Sequence, residues 1–288
     1  MESSVAPHRV SEVDGLWLPV SLFCYKERFR RLLAEGIKPL LQRLTGNHHL
    51  HHYLLAIDAA GGDHLRLLLS VPAAHAREIA VELDDHFKTY FSQAPGLDKE
   101  IVCRADGLFA PYAVYTTHYG LYAPGQLLAG FAGDIQLQQP FSTLIMEVFS
   151  VQQVSEQALV LLAFQFYLGL MSQVCATGQV GWDELLVPSQ DNLLQDRAPV
   201  DWLAIHHAFE EYRHELFEVS RAILADSPRQ PVWIVHWTMI CRGWLAACGS
   251  ADARQPYRQL AGLIDRHLGL TPGMKFIAFY FLRKVVAS

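Results

Sequence analysis

Apolar and polar positions alternate most regularly in Gly61-Gly62-Asp63-His64-Leu65-Arg66-Leu67-Leu68-Leu69-Ser70. His64, Arg66 and Leu68 share one parity and Leu65, Leu67 and Leu69 the other, so a strand here has one wholly apolar face. The opposite face begins with two nitrogen-bearing groups and then turns apolar. Leu16–Cys24, bounded by Asp14-Gly15, reads as another strand, and its Pro19 points to a sheet edge. Between them, Tyr25–Leu44 has a helical period in Phe29, Leu32, Leu33, Ile37, Leu40, Leu41 and Leu44. His52–Asp58 and His64–Ser70 form a hairpin across Gly61-Gly62. Pro72 opens a helix over Ala73–Phe91, with Ile79, Leu83, Phe87 and Phe91 on one side.

The order strand–helix–strand–strand–helix predicts half of a split α+β layer. Lys99–Val114 is expected to add a strand, and Gly120–Pro140 forms a Gly/Pro/Ala-rich break. Beyond it the pattern is helical over Phe141–Thr177, Val200–Ala225, Gln230–Ala247, Tyr257–Leu268 and Pro272–Val286, with a loop at Gly178–Pro199. The fold class is therefore α+β: an N-terminal mixed sheet with packed helices, followed by a mainly helical C-terminal half.

Composition narrows the function classes. The 288 residues are 51% hydrophobic and 18% charged, enough for a large core and too apolar for extended disorder. A formal charge of -6 argues against a nucleic-acid groove. Cys24, Cys103, Cys175, Cys241 and Cys248 are odd in number and scattered, which disfavours thiolate zinc and a disulfide framework. The N-terminus lacks signal-peptide character. The apolar run near Ala158–Met171 is interrupted by Gln165 and is short for a bilayer. A cytoplasmic protein with no membrane partner is expected.

Three stretches carry candidate chemistry. His64 and Arg66 suit an anionic or strongly hydrogen-bonding ligand, or else form an ordinary strand-edge ion pair. In His236-Trp237-Thr238-Met239-Ile240-Cys241-Arg242, His236, Met239 and Arg242 recur at three-residue steps along one helical stripe. His236 suits reversible proton transfer near neutrality, or is simply a hydrogen-bonded histidine of an aromatic-rich helix. Tyr112, Tyr115, His118, Tyr119 and Tyr122 cluster at the start of the glycine-rich break. Such a run lines a pocket for a polar organic ligand or packs a junction. The histidines of Asn47–His52 do not have metal-ligand spacing, and His206, Glu210 and His214 share a face expected to meet solvent. No metal site is expected.

Taken together, these stretches resemble the C-terminal elimination domain of lantibiotic dehydratases and the stand-alone thiopeptide-type bacteriocin biosynthesis proteins. In that family a hairpin carries His-Leu/Ile-Arg-Leu/Ile-Arg, matched here by His64-Leu65-Arg66-Leu67-Leu68. A later Tyr-x-x-Glu-x-x-Arg-Tyr-Gly-Gly motif is matched loosely by Tyr112 to Leu121, and a late helical motif by His236, Met239, Cys241 and Arg242. The resemblance spans most of the chain and implies a single domain over 1–288, with sub-regions 10–120 and 140–288.

The departures carry the sharper implication. Leu68 stands where the strand motif has its second Arg; Tyr115, His118 and Leu121 replace Glu, Arg and Gly of the middle motif. Elimination of glutamate from esterified Ser or Thr calls for cations around the leaving group and a base for the α-proton. Pyridine synthases of thiopeptide pathways resemble the eliminases but join two dehydroalanines by a formal [4+2] cycloaddition and release the leader peptide. That work rests on holding a flexible peptide in a reactive fold. The resemblance thus implies a pyridine synthase, with a glutamate eliminase or a non-catalytic leader-binding protein as alternatives. Arg66, His236, Tyr115 and His118 are its candidate catalytic residues; His64, Tyr112, Tyr119, Met239 and Arg242 would bind substrate. No cofactor is implied. The implied partners are a ribosomally made precursor peptide, leader and dehydrated core, and other enzymes of its pathway; the protein itself would be a monomer or homodimer. These groups are expected to converge on one peptide-sized hollow.

Overall fold

In the computed structural model, which describes residues 15–59, 61–93, 112–121, 135–186, 201–249 and 252–287, the alternating segments form one four-stranded sheet. β1 (Gly15–Phe23), β2 (His52–Asp58), β3 (His64–Pro72) and β4 (Thr116–Tyr119) stand in the order β2-β3-β1-β4. All described pairings are antiparallel, where a mixed sheet was expected. β1 and β2 do run parallel, but the hairpin partner β3 inserts between them, the split βαβ arrangement. β1 is consequently internal rather than an edge. Pro19 is tolerated there because it faces the β4 side where that short ladder ends, with only its carbonyl taking a bond, from the Gly120 N–H. The strand expected over Lys99–Val114 falls largely on residues 99–111, outside the described residues; β4 follows it.

The uniform face of the sheet carries Leu22, Leu55, Leu65, Leu67 and Leu69, all fully buried. It packs with the helical segment that ends in α1 (Lys38–Gly46) and with α2 (Ala76–Gln93), whose Ile79, Leu83, Phe87 and Phe91 supply the predicted apolar stripe. A π-helical turn, Leu32–Ile37, precedes α1. The carbonyl of Gly36 in that turn bonds His86 Nε2 at 2.9 Å, which ties it to α2.

The second half is helical: α3 (Ile135–Val151), α4 (Glu156–Ala176), α5 (Trp182–Leu186), α6 (Trp202–Leu224), α7 (Val232–Cys248), α8 (Arg254–His267) and α9 (Pro272–Val286). α3 starts before Phe141 and carries Pro140 inside it. Burial of Leu137 holds this extra turn despite the missing N–H. α4 is long and apolar enough to cross a membrane by length and composition, yet two-thirds of it (67%) is buried against protein. Its Gly169 lets Trp237 of α7 approach, and the Trp237 indole donates to the Phe166 carbonyl at 2.7 Å.

The two halves meet at the outer edge of β2. Ser142 Oγ on α3 accepts from the Leu55 N–H at 3.1 Å, and His267 Nδ1 on α8 donates to the Leu55 carbonyl at 2.6 Å. Gly269, at φ 59°, brings the backbone so close that a Cβ there would collide with the Ile57 carbonyl oxygen. Both exposed polar groups of an edge residue are thereby satisfied by the helical half.

Candidate functional site

The second sheet face holds the unusual residues. Phe23, Asp58, His64, Arg66 and His118 share it by register: His64 opposes Phe23 and Asp58, while Ser21 lies between Arg66 and His118. Arg66 Nη1 donates to Asp58 Oδ2 at 3.1 Å across the diagonal of the β2–β3 hairpin. The ion pair is mostly buried, with side-chain exposures of 14% and 24%. The carboxylate offsets the guanidinium, so this face offers a matched pair rather than a bare cation.

Phe23 organises the histidines. His64 stacks on it at 4.4 Å, and His118 meets it edge-on at 5.4 Å. The Tyr112 ring lies 4.7 Å from both Phe23 and His118. Gly62, at φ 134°, turns the chain beside the Phe23 ring and presents its carbonyl to His64 Nδ1 at 2.8 Å. A carbonyl only accepts, so His64 carries its proton on Nδ1. Burial lowers the His64 pKa, against the pull of that carbonyl and of Asp58. Thr116 Oγ1 donates to the Ala113 carbonyl at 2.5 Å and therefore accepts from His118 Nε2 at 3.0 Å. Burial lowers His118 also. Burial thus favours the uncharged form of both imidazoles.

The tyrosine-rich run straddles the sheet. Tyr112 and His118 lie on the face of Arg66. Tyr115, at φ 61°, directs its ring to Tyr25 and to Phe91 of α2. Tyr119 opposes Val20 on the helix-covered face, where burial and then Asp84 and Asp85 raise its pKa. Tyr122 lies outside the described residues.

His236 and Met239 are exposed on α7 and line a hollow of about 530 Å³ between α3 and α7. Gln136, Gln139, Thr143 and Glu147 form its α3 wall, and His52 of β2 closes one end, bonded to Gln139. Arg242 turns away to donate to Gln173 of α4 at 3.2 Å. Ile135 joins the two regions: it lines the hollow and also packs on Leu54, Ala56 and Leu68 of the polar face. His52 is four residues from Ala56, the partner of Arg66, roughly 13 Å along the strand. The groups expected to share one hollow do not. His64, Arg66, Tyr112 and His118 stand at one end of this sheet face, and His236 and Met239 near the other, with an apolar patch between; Tyr115, Tyr119 and Arg242 belong to neither set. Sequence reasoning missed Asp58, Phe23, His52 and the polar stripe of α3. Asp58 could have been found, since it shares the parity of Ala56 and sits across the hairpin from His64.

No protein-family model matches the chain, and no curated protein matches it in sequence. Solved structures do, and the fold that emerges is the one seen in the pyridine synthase TbtD and in TsrL. The pyridine synthase TbtD from thiomuracin biosynthesis superposes with a TM-score of 0.68 at 14% identity, covering 94% of this chain and 97% of that one. TsrL follows at 0.62 and 12% identity, covering 95% and 96%. The tRNA-dependent lantibiotic dehydratase MibB from Microbispora sp. 107891 gives 0.49 at 12% identity, over 99% of this chain and 29% of that one.

Proposed function

We propose that the protein is a cytoplasmic pyridine synthase-type enzyme that closes a nitrogen heterocycle on a ribosomally made, dehydrated precursor peptide. The observation carrying this reading is the charge-balanced polar face built into that fold: a guanidinium paired with Asp58, beside two imidazoles packed on Phe23 whose burial favours the uncharged form. Expelling glutamate favours surplus positive charge around a departing carboxylate. Cycloaddition asks instead for positioning and for neutral donors and acceptors.

In the reaction proposed, the amide preceding one dehydroalanine shifts its N–H proton to oxygen and becomes a 2-azadiene. The alkene of the second dehydroalanine adds across it, forming two carbon–carbon bonds. Loss of water and then of the leader, as its carboxamide, aromatises the ring. The sequence is redox-neutral and requires no cofactor. Arg66 orients a peptide carbonyl, with Tyr112 and His118 beside it. His236 shuttles the tautomerising proton, and Met239 gives its hollow an apolar wall. Tyr115 and Tyr119 hold β4 from the helix side, His64 fixes the hairpin through Gly62, and Arg242 anchors α7 to α4.

Mass spectrometry with a bis-dehydroalanine precursor tests the proposal. The expected products are an intact leader carboxamide and a macrocycle with a new ultraviolet chromophore. Release of glutamate from a glutamylated precursor would replace the reading with an eliminase. Leader binding with no mass change in either assay would leave a docking protein.

A further inference from the structure

The hollow between α3 and α7 carries a charge that the reaction proposed above does not use. Each of these helices is 17 residues long, and their only formal charges are Glu147 and Arg242. Arg242 is turned to Gln173 of α4, and among the described residues no lysine or arginine lines the hollow. Other polar groups of its walls already have partners. Tyr53 Oη donates to Thr143 Oγ1 at 3.1 Å, and Thr143 donates in turn to the Gln139 carbonyl at 3.1 Å. The Gln139 side chain holds His52. Glu147 is exposed to the hollow and makes no hydrogen bond or ion pair among the described residues. At the other end of the sheet face Asp58 balances Arg66, whereas here a carboxylate stands without a cation.

The apolar part of the lining says what kind of cation fits. Met239 is 62% exposed, and Ile135, Leu144 and Ile240 continue its wall. A carboxylate beside flexible and branched apolar side chains complements a long side chain with a methylene stem and a charged head. An acidic side chain would meet an uncompensated like charge instead. We infer that this hollow receives a lysine or arginine of the substrate's core and that Glu147 selects it, an inference that rests on the peptide-modifying function proposed above. Glu147 is then a specificity-determining residue, set on the same helical wall that faces His236 and touching a substrate side chain away from the reacting alkenes.

The probe is the capped peptide Ser-Ala-Lys-Ala-Ser, compared with its norleucine and glutamate counterparts. Binding is read from the Met239 methyl resonance in protein with isotope-labelled methionine methyl groups. The lysine peptide is expected to shift it, the norleucine peptide to bind about fivefold more weakly, the scale of one exposed ion pair, and the glutamate peptide at least tenfold more weakly. Glu147→Gln should level lysine with norleucine. Glu147→Lys should move the preference to glutamate, which misfolding cannot do. An equal response to all three peptides, or a Glu147→Lys variant that still prefers lysine, would overturn the inference. Bis-dehydroalanine precursors differing only in a residue beside one dehydroalanine should show the same order in kcat/KM. Turnover indifferent to that residue would remove the selection and leave the enzyme; charge-selective binding at Met239 without any heterocyclic product would do the reverse.

Discussion

Arg66 and Leu67 are neighbours in β3 and belong to different parts of the protein's physics. Leu67 faces α1 and α2 in a continuous apolar core, where every contact is non-directional. Arg66 faces Asp58 and the Phe23–histidine cluster, where register, tautomer and charge balance decide what can be bound. The first face tolerates change in detail but not in volume. The second is packed as closely around Phe23 and His64 and in addition depends on hydrogen bonding. A single β-strand can carry both because its side-chain period is two, and a register slip of one residue would lose both at once.

The largest expected effect separates them. Leu67→Ala should lower unfolding free energy by about 3 kcal/mol, the usual cost of a buried leucine cavity, and lower turnover only through loss of folded protein. Arg66→Ala should cost about 1 kcal/mol, because the partner Asp58 keeps some contact with solvent. It should nevertheless reduce kcat on a bis-dehydroalanine precursor about a hundredfold, the scale of losing one oriented donor. Denaturant unfolding read beside turnover distinguishes the two. If Arg66→Ala unfolds the protein as Leu67→Ala does, the division between the faces is wrong.

What the sequence revealed follows the same division. Alternation and the Gly61-Gly62 pair located β2 and β3 to within two residues, because local pattern fixes a hairpin. Most helices of the second half were legible for the same reason, but the break between Val151 and Glu156 and the short helix Trp182–Leu186 were not. Sheet order was not: that β1 enters between β3 and β4 depends on contacts distant in sequence. The early start of α3 was hidden by Pro140, a local signal overridden by the burial of Leu137. The split of Tyr112 and His118 from Tyr115 and Tyr119 was equally hidden. It depends on the register of a four-residue strand and on the left-handed backbone of Tyr115. Motif order placed these residues on strands and a helix and could not say which face each side chain takes.

The seam between the halves offers the next effect, through pH. His267 is fully buried and desolvation depresses its pKa from 6.5 to about 4, only partly opposed by its bond to the Leu55 carbonyl. The unfolded chain therefore binds a proton more readily than the folded one between those values. The stabilising difference is complete above pH 6.5 and disappears as pH falls towards 4, amounting to about 3 kcal/mol. Burial depresses His64 and His118 in the same direction, so they steepen the same acid limb. His267→Asn retains an N–H for Leu55 without a titrating ring and should flatten that limb in pH-dependent melting. An unchanged slope would place the acid sensitivity elsewhere.

The smallest effect tests whether the β2 edge is a joint or merely a contact. Ser142→Ala removes the acceptor that meets the Leu55 N–H and leaves its carbonyl bonded to His267. A buried donor deprived of its partner should cost about 1–2 kcal/mol. Hydrogen exchange should show the Leu55 amide losing protection, while the inner ladder between β3 and β1 keeps its own. The hollow beside β2 is built on the same helix, with Thr143 and Gln139 a few residues away. A looser edge should therefore raise KM for the precursor by a few-fold before it affects the sheet's polar end near Arg66. If Ser142→Ala instead weakens both ends of that face equally, α3 and the sheet move as one body, and the two sets of groups form one site in mechanical terms.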